Sequence, residues 1–300
     1  MIGNLALVLG GGGAGGNAWE IGVIAGLAEA GRDVAEAADL IVGTSAGATA
    51  AAQVRSGLSP AELLDAILTP PVRVVGAREA STPTLPMSTV FERMRSIGAG
   101  ATSALEVQRA MGAFGVESDA ILGSGAAQRR AVVAARLPIT EWPQRPMIVV
   151  AVDAYTGELA PFDQHSGVDL VDAVTASCAL PGLSSTVDIN GTRYIDGGVR
   201  SSENADLAAG YANVVVLAPL GGRNGVVPEG QFEGLRRFPG ADLDSQVEAL
   251  RRQGSHVDVL TPDAASRAAM GTNQVDPATR IAAARAGFVQ GKRDASRVSF

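Results

Sequence analysis

The sequence predicts an α/β fold organised around parallel strands. Short apolar runs that end in glycine, at residues 5–10 and 39–43, alternate with segments patterned as helices. That strand–helix–strand–helix order requires right-handed crossovers, which lay the strands parallel in one sheet. With 300 residues, 46% of them hydrophobic, the chain can bury one large core. No internal repeat and no linker-like stretch divides it, so residues 1–300 are expected to form a single domain.

The run LALVLG is the first strand. NAWEIGVIAGLAEAG behind it is a helix, with Trp19, Val23, Leu27 and Ala30 at helical spacing and Gly31 as its stop. DLIVG is the second strand and SAGATAAAQVRSG the second helix. LSPAELLDAIL is a helix with a capping box, Ser59 at N-cap, Pro60 at N1 and Glu62 at N3. Residues 70–100 carry Pro70, Pro71, Pro83 and Pro86 and then the amphipathic MSTVFERMRS. They read either as a lid over a site or, the commoner fate, as a surface connection. A helix is expected from about Ser118 to Leu137. PMIVVAVDAYTGELAPFD is two strands around a turn at Thr156-Gly157, and VDLVDAVTASCALPG is a helix that ends near Pro181. STVDINGTRYIDGG is a hairpin turning on Asn190-Gly191. NVVVLAPL is a further buried strand, and residues 241–300 are expected to be mostly helical around the short strand HVDVLTPD.

The net charge of −7 argues against a nucleic-acid partner, which demands a basic stripe, and leaves no polybasic anchor for anionic lipid. Lys292 is the only lysine, which disfavours Schiff-base chemistry. Cys178 is the only cysteine, so no intramolecular disulfide forms and a reducing compartment fits. The N-terminus lacks a basic n-region, and no apolar run nears the roughly 20 residues of a membrane span. A cytoplasmic protein without metal or other cofactor is the expectation.

GGGGAGG, residues 10–16, leaves the first strand and opens the first helix. Such a loop presents backbone N–H groups at the positive end of a helix dipole. It suits a dinucleotide pyrophosphate or the oxyanion of a tetrahedral intermediate, unless the glycines merely permit a tight turn. The dinucleotide reading wants an acidic residue at the end of the second strand. That strand ends in Gly43-Thr44-Ser45, and its Asp39 sits at the wrong end.

GTSAG places Ser45 between Gly43 and Gly47, after a strand and before a helix. This is the setting of a nucleophile elbow, with a plain N-cap serine as the alternative. The neighbouring glycine loop favours the nucleophile, because a βαβ unit brings both loops to one sheet edge. A serine hydroxyl then needs a base. His165 lies in a polar loop and His256 at the start of a late strand, neither with a supporting motif. Asp196 ends the strand TRYI and is followed by Gly197 and Gly198, which let other backbone approach, although Asp-Gly is also a common turn pair.

Together these residues resemble the patatin-like phospholipase family. The glycine loop, the elbow GTSAG and the block ASCALPGLSSTVDINGTRYIDGGV at residues 176–199 carry the likeness, and NAWEIGVIAGLAEAG looks like the family's first helix. It covers roughly the first two-thirds of the chain, with residues 70–140 less distinctive. The resemblance implies a three-layer α/β/α sandwich with a mostly parallel central sheet and hydrolysis of carboxylic esters, often of lipids. It implies Ser45 as nucleophile, Asp196 as base and the N–H groups of Gly11, Gly12 and Gly13 as oxyanion hole. Gly16, Gly43, Gly47, Gly197 and Gly198 support these motifs. Family members often carry a basic residue in the glycine motif, where this chain has Gly15. An ester or lipid is the expected partner, reached in part by transient contact with a membrane surface. Such a mechanism needs Asp196 buried, its pKa raised above about 3.9, and within hydrogen-bonding reach of Ser45 Oγ. Two other readings stay open. One is a Ser–His hydrolase or acyltransferase of related fold that uses His165 or His256. The other is a dinucleotide-binding protein that uses the glycine loop.

Overall fold

A computed structural model describes residues 3–69, 85–123, 125–221 and 238–300. Its strands are β1 (Gly3–Leu9), β2 (Leu40–Thr44), β3 (Met147–Asp153), β4 (Leu159–Phe162), β5 (Val187–Ile189), β6 (Thr192–Asp196), β7 (Tyr211–Leu217) and β8 (His256–Leu260). They form one sheet in the order β5-β6-β3-β2-β1-β7-β8, with β4 paired to β3. β1 is central because both its faces are apolar. Leu5, Leu7 and Leu9 face one side, Ala6 and Val8 the other, and all five are fully buried. Parallel pairing joins β3, β2, β1, β7 and β8. The hairpin β5–β6 closes one edge antiparallel to β3. Asn190 and Gly191 make its turn with φ of 55° and 85°, the left-handed pair of a tight two-residue turn.

The helices are α1 (Gly13–Glu29), α2 (Val34–Ala37), α3 (Ala46–Val54), α4 (Pro60–Leu68), α5 (Met87–Gly100), α6 (Ala104–Leu122), α7 (Ala126–Ala134), α8 (Leu170–Ser177), α9 (Leu243–Arg252), α10 (Ala264–Met270) and α11 (Arg280–Asp294). α1, α3, α4, α8 and α11 cover the Leu5–Leu7–Leu9 face. On the opposite face α9 packs Leu243, Val247 and Leu250 against Val214 and Val216. α5 and α6 pack Phe91, Met94, Met111 and Phe114 against Val152 and Ile195 on that same side. The result is three layers, α/β/α, around a mostly parallel sheet.

α1 is buried on nearly every side, between the sheet and α11. Its Gly22 and Gly26 lie against the backbone of Ala284 and Phe288. Gly287 and Gly291 of α11 lie in turn against the backbone of Trp19 and Val23. A Cβ at any of the four would meet a carbonyl of the other helix.

Several expectations change. The helix expected from Ser118 to Leu137 is two helices, α6 and α7. α6 begins much earlier, where Ser103 Oγ accepts from Glu106 N–H, and stops at Gly123 with φ of 67°. The capping box of α4 is present, Ser59 N–H donating to Glu62 Oε2 at 2.8 Å. Of the segment read as lid or connection, residues 70–84 lie outside the described residues. Residues 87–100 are α5, whose Val90, Phe91 and Met94 are core side chains. No helix among the described residues is long and apolar enough to cross a membrane.

Candidate active site

The sheet register brings together two distant points of the chain. β2 ends at Thr44, which pairs with Val150 of β3. β6 runs antiparallel to β3, and its last residue, Asp196, pairs with Ala151. Both ends therefore arrive at the same level of β3. Ser45 Oγ donates to Asp196 Oδ2 at 2.7 Å across 151 residues of sequence.

Ser45 sits at the sharp turn between β2 and α3 with φ of 54° and ψ of −115°. For a residue with a side chain this conformation costs on the order of 1–3 kcal/mol, and its surroundings enforce it. Ser45 N–H donates to Ser177 Oγ at 2.8 Å, and Ser177 Oγ donates to the Val150 carbonyl at 2.6 Å. Cys178 Sγ donates to the Ser45 carbonyl at 3.2 Å. Gly47 lets α3 start hard against the end of β1, since a Cβ there would strike the Leu9 carbonyl. Gly43 packs likewise against Ala48.

Asp196 is 3% exposed. Its Oδ1 accepts from Gly198 N–H at 2.8 Å, and its own N–H donates to the Ala179 carbonyl. Burial pushes the carboxyl up to about 6, against the opposing pull of the Ser45 hydroxyl, the Gly198 N–H and the Arg129 charge. Gly197 packs on the Val150 carbonyl. Asn204, buried and at φ of 52°, ties this region to the end of β2. Its Nδ2 donates to the Ser201 carbonyl at 2.7 Å and to Thr44 Oγ1 at 3.1 Å.

The glycine loop divides in its use of N–H groups. Gly10 N–H donates to the Leu217 carbonyl, Gly15 N–H to Gln274 and Gly16 N–H to Gly12. Gly11 N–H donates to the Ser202 carbonyl at 2.7 Å. Gly11 is therefore a correction to the expected oxyanion trio, because its donor is already committed to the backbone that follows Asp196. Gly12 and Gly13 N–H have no acceptor among the described residues, and both glycines line the same cavity as Ser45. Gly13 has φ of 63°, and a Cβ on it would stand 2.7 Å from the Gln274 carbonyl.

That cavity has a volume of about 1040 Å³. One part is apolar, lined by Met94, Val107, Met111, Leu180, Leu183 and Phe238. Another is polar, with Asn17, Gln53 and arginine side chains. Neither histidine lines it. His165 sits in an exposed turn with its N–H on Asp163. His256 begins β8, at the sheet edge opposite Ser45, and contacts Asp258 at 3.2 Å. Among the described residues no cluster of three His, Cys, Asp or Glu could hold a metal ion.

Sequence reasoning did not nominate Ser177, Asn204 or Arg129. Ser177 lies inside the block that carries the family likeness, but nothing there distinguishes it from a helix-end serine. Arg129 stands beside Arg130 in a featureless stretch, and only the packing of α7 turns one inward.

The family model for patatin-like phospholipases matches residues 7–209. Among solved structures, VipD from Legionella pneumophila gives a TM-score of 0.45 at 13% identity, over 98% of this chain and 67% of that one. The type III effector protein ExoU gives 0.35 at 16% identity, over 97% of this chain and 53% of that one. A structure of SpcU in complex with ExoU, from Pseudomonas aeruginosa, gives 0.33 at 16% identity, over 97% and 52%. The chain thus spans about half the length of ExoU. No curated protein matches the chain significantly.

Proposed function

We propose that this chain, which belongs to the patatin-like phospholipase family, is a serine acyl hydrolase that cleaves carboxylic esters of lipids. Family membership supports a lipid acyl hydrolase. The single observation that supports the chemistry is the 2.7 Å hydrogen bond from a strained, cavity-facing serine to a buried aspartate. In this reading Ser45 is the nucleophile and Asp196 the general base, and Gly12 and Gly13 N–H form the oxyanion hole.

The reaction runs in two halves. Asp196 takes the Ser45 proton as Oγ attacks the ester carbonyl, and the free N–H groups stabilise the oxyanion. One such donor is typically worth about 3–4 kcal/mol. Protonated Asp196 then gives its proton to the leaving alkoxide. A water activated by the same carboxylate releases the acid from Ser45. An aspartate near its ordinary value is a weak base at neutral pH, and burial brings Asp196 close to the useful range. The bound substrate would lay its acyl chain in the apolar part of the cavity. The close α1–α11 packing supports treating residues 1–300 as one unit.

Labelling with a fluorophosphonate probe tests the nucleophile. Wild type should label and Ser45→Ala should not, and a short p-nitrophenyl ester should be turned over by wild type but not by Ser45→Ala or Asp196→Asn. Undiminished turnover in Asp196→Asn, with loss on replacing His165 or His256 by glutamine, would transfer the base to a histidine.

A further inference from the structure

The cavity beside Ser45 carries three guanidinium groups, from Arg129 on α7, Arg136 just after α7 and Arg280 at the start of α11. Among the described residues none of the three is ion-paired with a carboxylate. This is unexpected in a chain with 31 acidic residues against 24 basic ones. Neighbouring arginines behave otherwise. Arg130 pairs with Asp169 and Asp172, and Arg200, also on the cavity wall, pairs with Asp206 at 2.6 Å.

Neutral groups hold two of the three, Arg129 and Arg280, while the Arg136 side chain is exposed. Arg129 Nη2 donates to the Cys178 carbonyl at 2.9 Å, and its Nε is buried without a partner. Arg280 Nη1 donates to Asn17 Oδ1 at 2.9 Å, Asn17 Nδ2 donates to Gln53 Oε1 at 3.0 Å, and Gln53 Nε2 donates to the Arg136 carbonyl at 3.2 Å. One hydrogen-bonded row therefore links Arg280 to the backbone of Arg136. The charges oppose one another. Burial mainly, with Arg136 adding to it, holds both Arg129 and Arg280 below the usual guanidinium range. The Asp196 carboxyl opposes the shift at Arg129 without pairing with it, and like charges gathered with no ion-pair partner are costly where they are partly buried, as Arg129 and Arg280 are. An anion seated among them removes that cost, and guanidinium forks match the oxygens of phosphate. Arg129 connects separately to the dyad, for its guanidinium donates to the carbonyl of Cys178, whose thiol donates to the Ser45 carbonyl.

We propose that Arg129, Arg136 and Arg280 form a subsite for a phosphate-type anion carried by the ester substrate. The proposal rests on the acyl-hydrolase reading of this cavity and adds which esters it prefers, those with an anionic group near the scissile carbonyl over neutral ones.

Binding to the Ser45→Ala chain separates recognition from turnover. Isothermal titration would compare short-chain dihexanoyl phosphatidic acid, dihexanoylglycerol and inorganic phosphate. The phosphatidate should bind at least about tenfold tighter than the neutral diester, the scale of one charge-assisted contact. Arg136→Gln and Arg280→Gln should each cut that preference about tenfold, and Arg136→Lys and Arg280→Lys, which keep the charge without the fork, should fall between. Arg252→Gln, on α9 and outside the cavity, should leave it intact. Inorganic phosphate that competes with phosphatidate, and loses that ability in the glutamine variants, supports the subsite with free phosphate as a second occupant. Phosphate that fails to compete, with the lipid preference intact, supports recognition of the headgroup alone. Equal affinity for the two lipids, or a preference that survives the double glutamine variant, overturns the proposal. If binding follows the expected pattern but wild type turns over no ester, the hydrolase reading fails and the subsite stands. If neutral esters are hydrolysed with no anionic preference, the reverse holds.

Discussion

Replacing Asp196 by asparagine should stop turnover and at the same time stabilise the fold above neutral pH. The carboxyl lies at about 6 in the folded chain against 3.8 unperturbed, and burial is the main cause. That gap of about 2 units corresponds to about 3 kcal/mol at 1.36 kcal/mol per unit. Its sign follows from proton counts. Between pH 3.8 and about 6 the folded state holds a proton that the unfolded state has lost, so stability falls as pH rises through that window. Below it the acid is neutral in both states and costs nothing. Above it the whole penalty applies. Asparagine is neutral throughout, and its amide can keep both contacts, the oxygen accepting from Gly198 N–H and the nitrogen donating to Ser45 Oγ. Guanidinium unfolding of both proteins from pH 4 to 8 measures the difference. The variant should gain about 3 kcal/mol on wild type between pH 4 and 7 and hold that gain above. A gap that stays constant with pH, or that moves toward wild type, would refute the idea that Asp196 is a buried charge held at a cost.

On the same grounds, kcat/KM for a neutral ester should rise with pH through about 6 and then level, reaching about a tenth of its plateau at pH 5. Arg129→Gln should move that limb upward, because Arg129 is one of the groups that pull the Asp196 carboxyl down. Gly47→Ala would drive a methyl into the Leu9 carbonyl and should cost at least about 1–3 kcal/mol in thermal melting. Burial pushes the Cys178 thiol up to about 11, so iodoacetamide at pH 8 should label it at least about 100-fold more slowly in the folded chain than in urea, as mass spectrometry would show.

The sheet was largely legible because its signals are local. LALVLG, DLIVG and NVVVLAPL are apolar runs closed by loop residues, and Asn190-Gly191 fixes a hairpin without help from the rest of the chain. The boundary of α6 was missed because Ser103 and Glu106 mark it with side chains common in loops, and the periodicity that follows is weak. Within the cavity, Ser45 and Asp196 could be picked out because motif glycines flank both. Gly11 could not be separated from Gly12 and Gly13, because what occupies its N–H is a carbonyl nearly 200 residues away. The arginine row was invisible for a related reason. Arg129, Arg136 and Arg280 become neighbours only through the packing of α7 and α11, and nothing in their local sequence distinguishes them from solvated charges.

The seam between α1 and α11 works as a keyed joint. Helices that meet through leucines can slide a fraction of an ångström while rotamers absorb the motion, but Gly22, Gly26, Gly287 and Gly291 set backbone on backbone with nothing to give. The first turn of α1 carries Gly13, and the first residue of α11 is Arg280. The spacing between the backbone of the glycine loop and that of Arg280 is accordingly set by main-chain contact and not by side-chain rotamers.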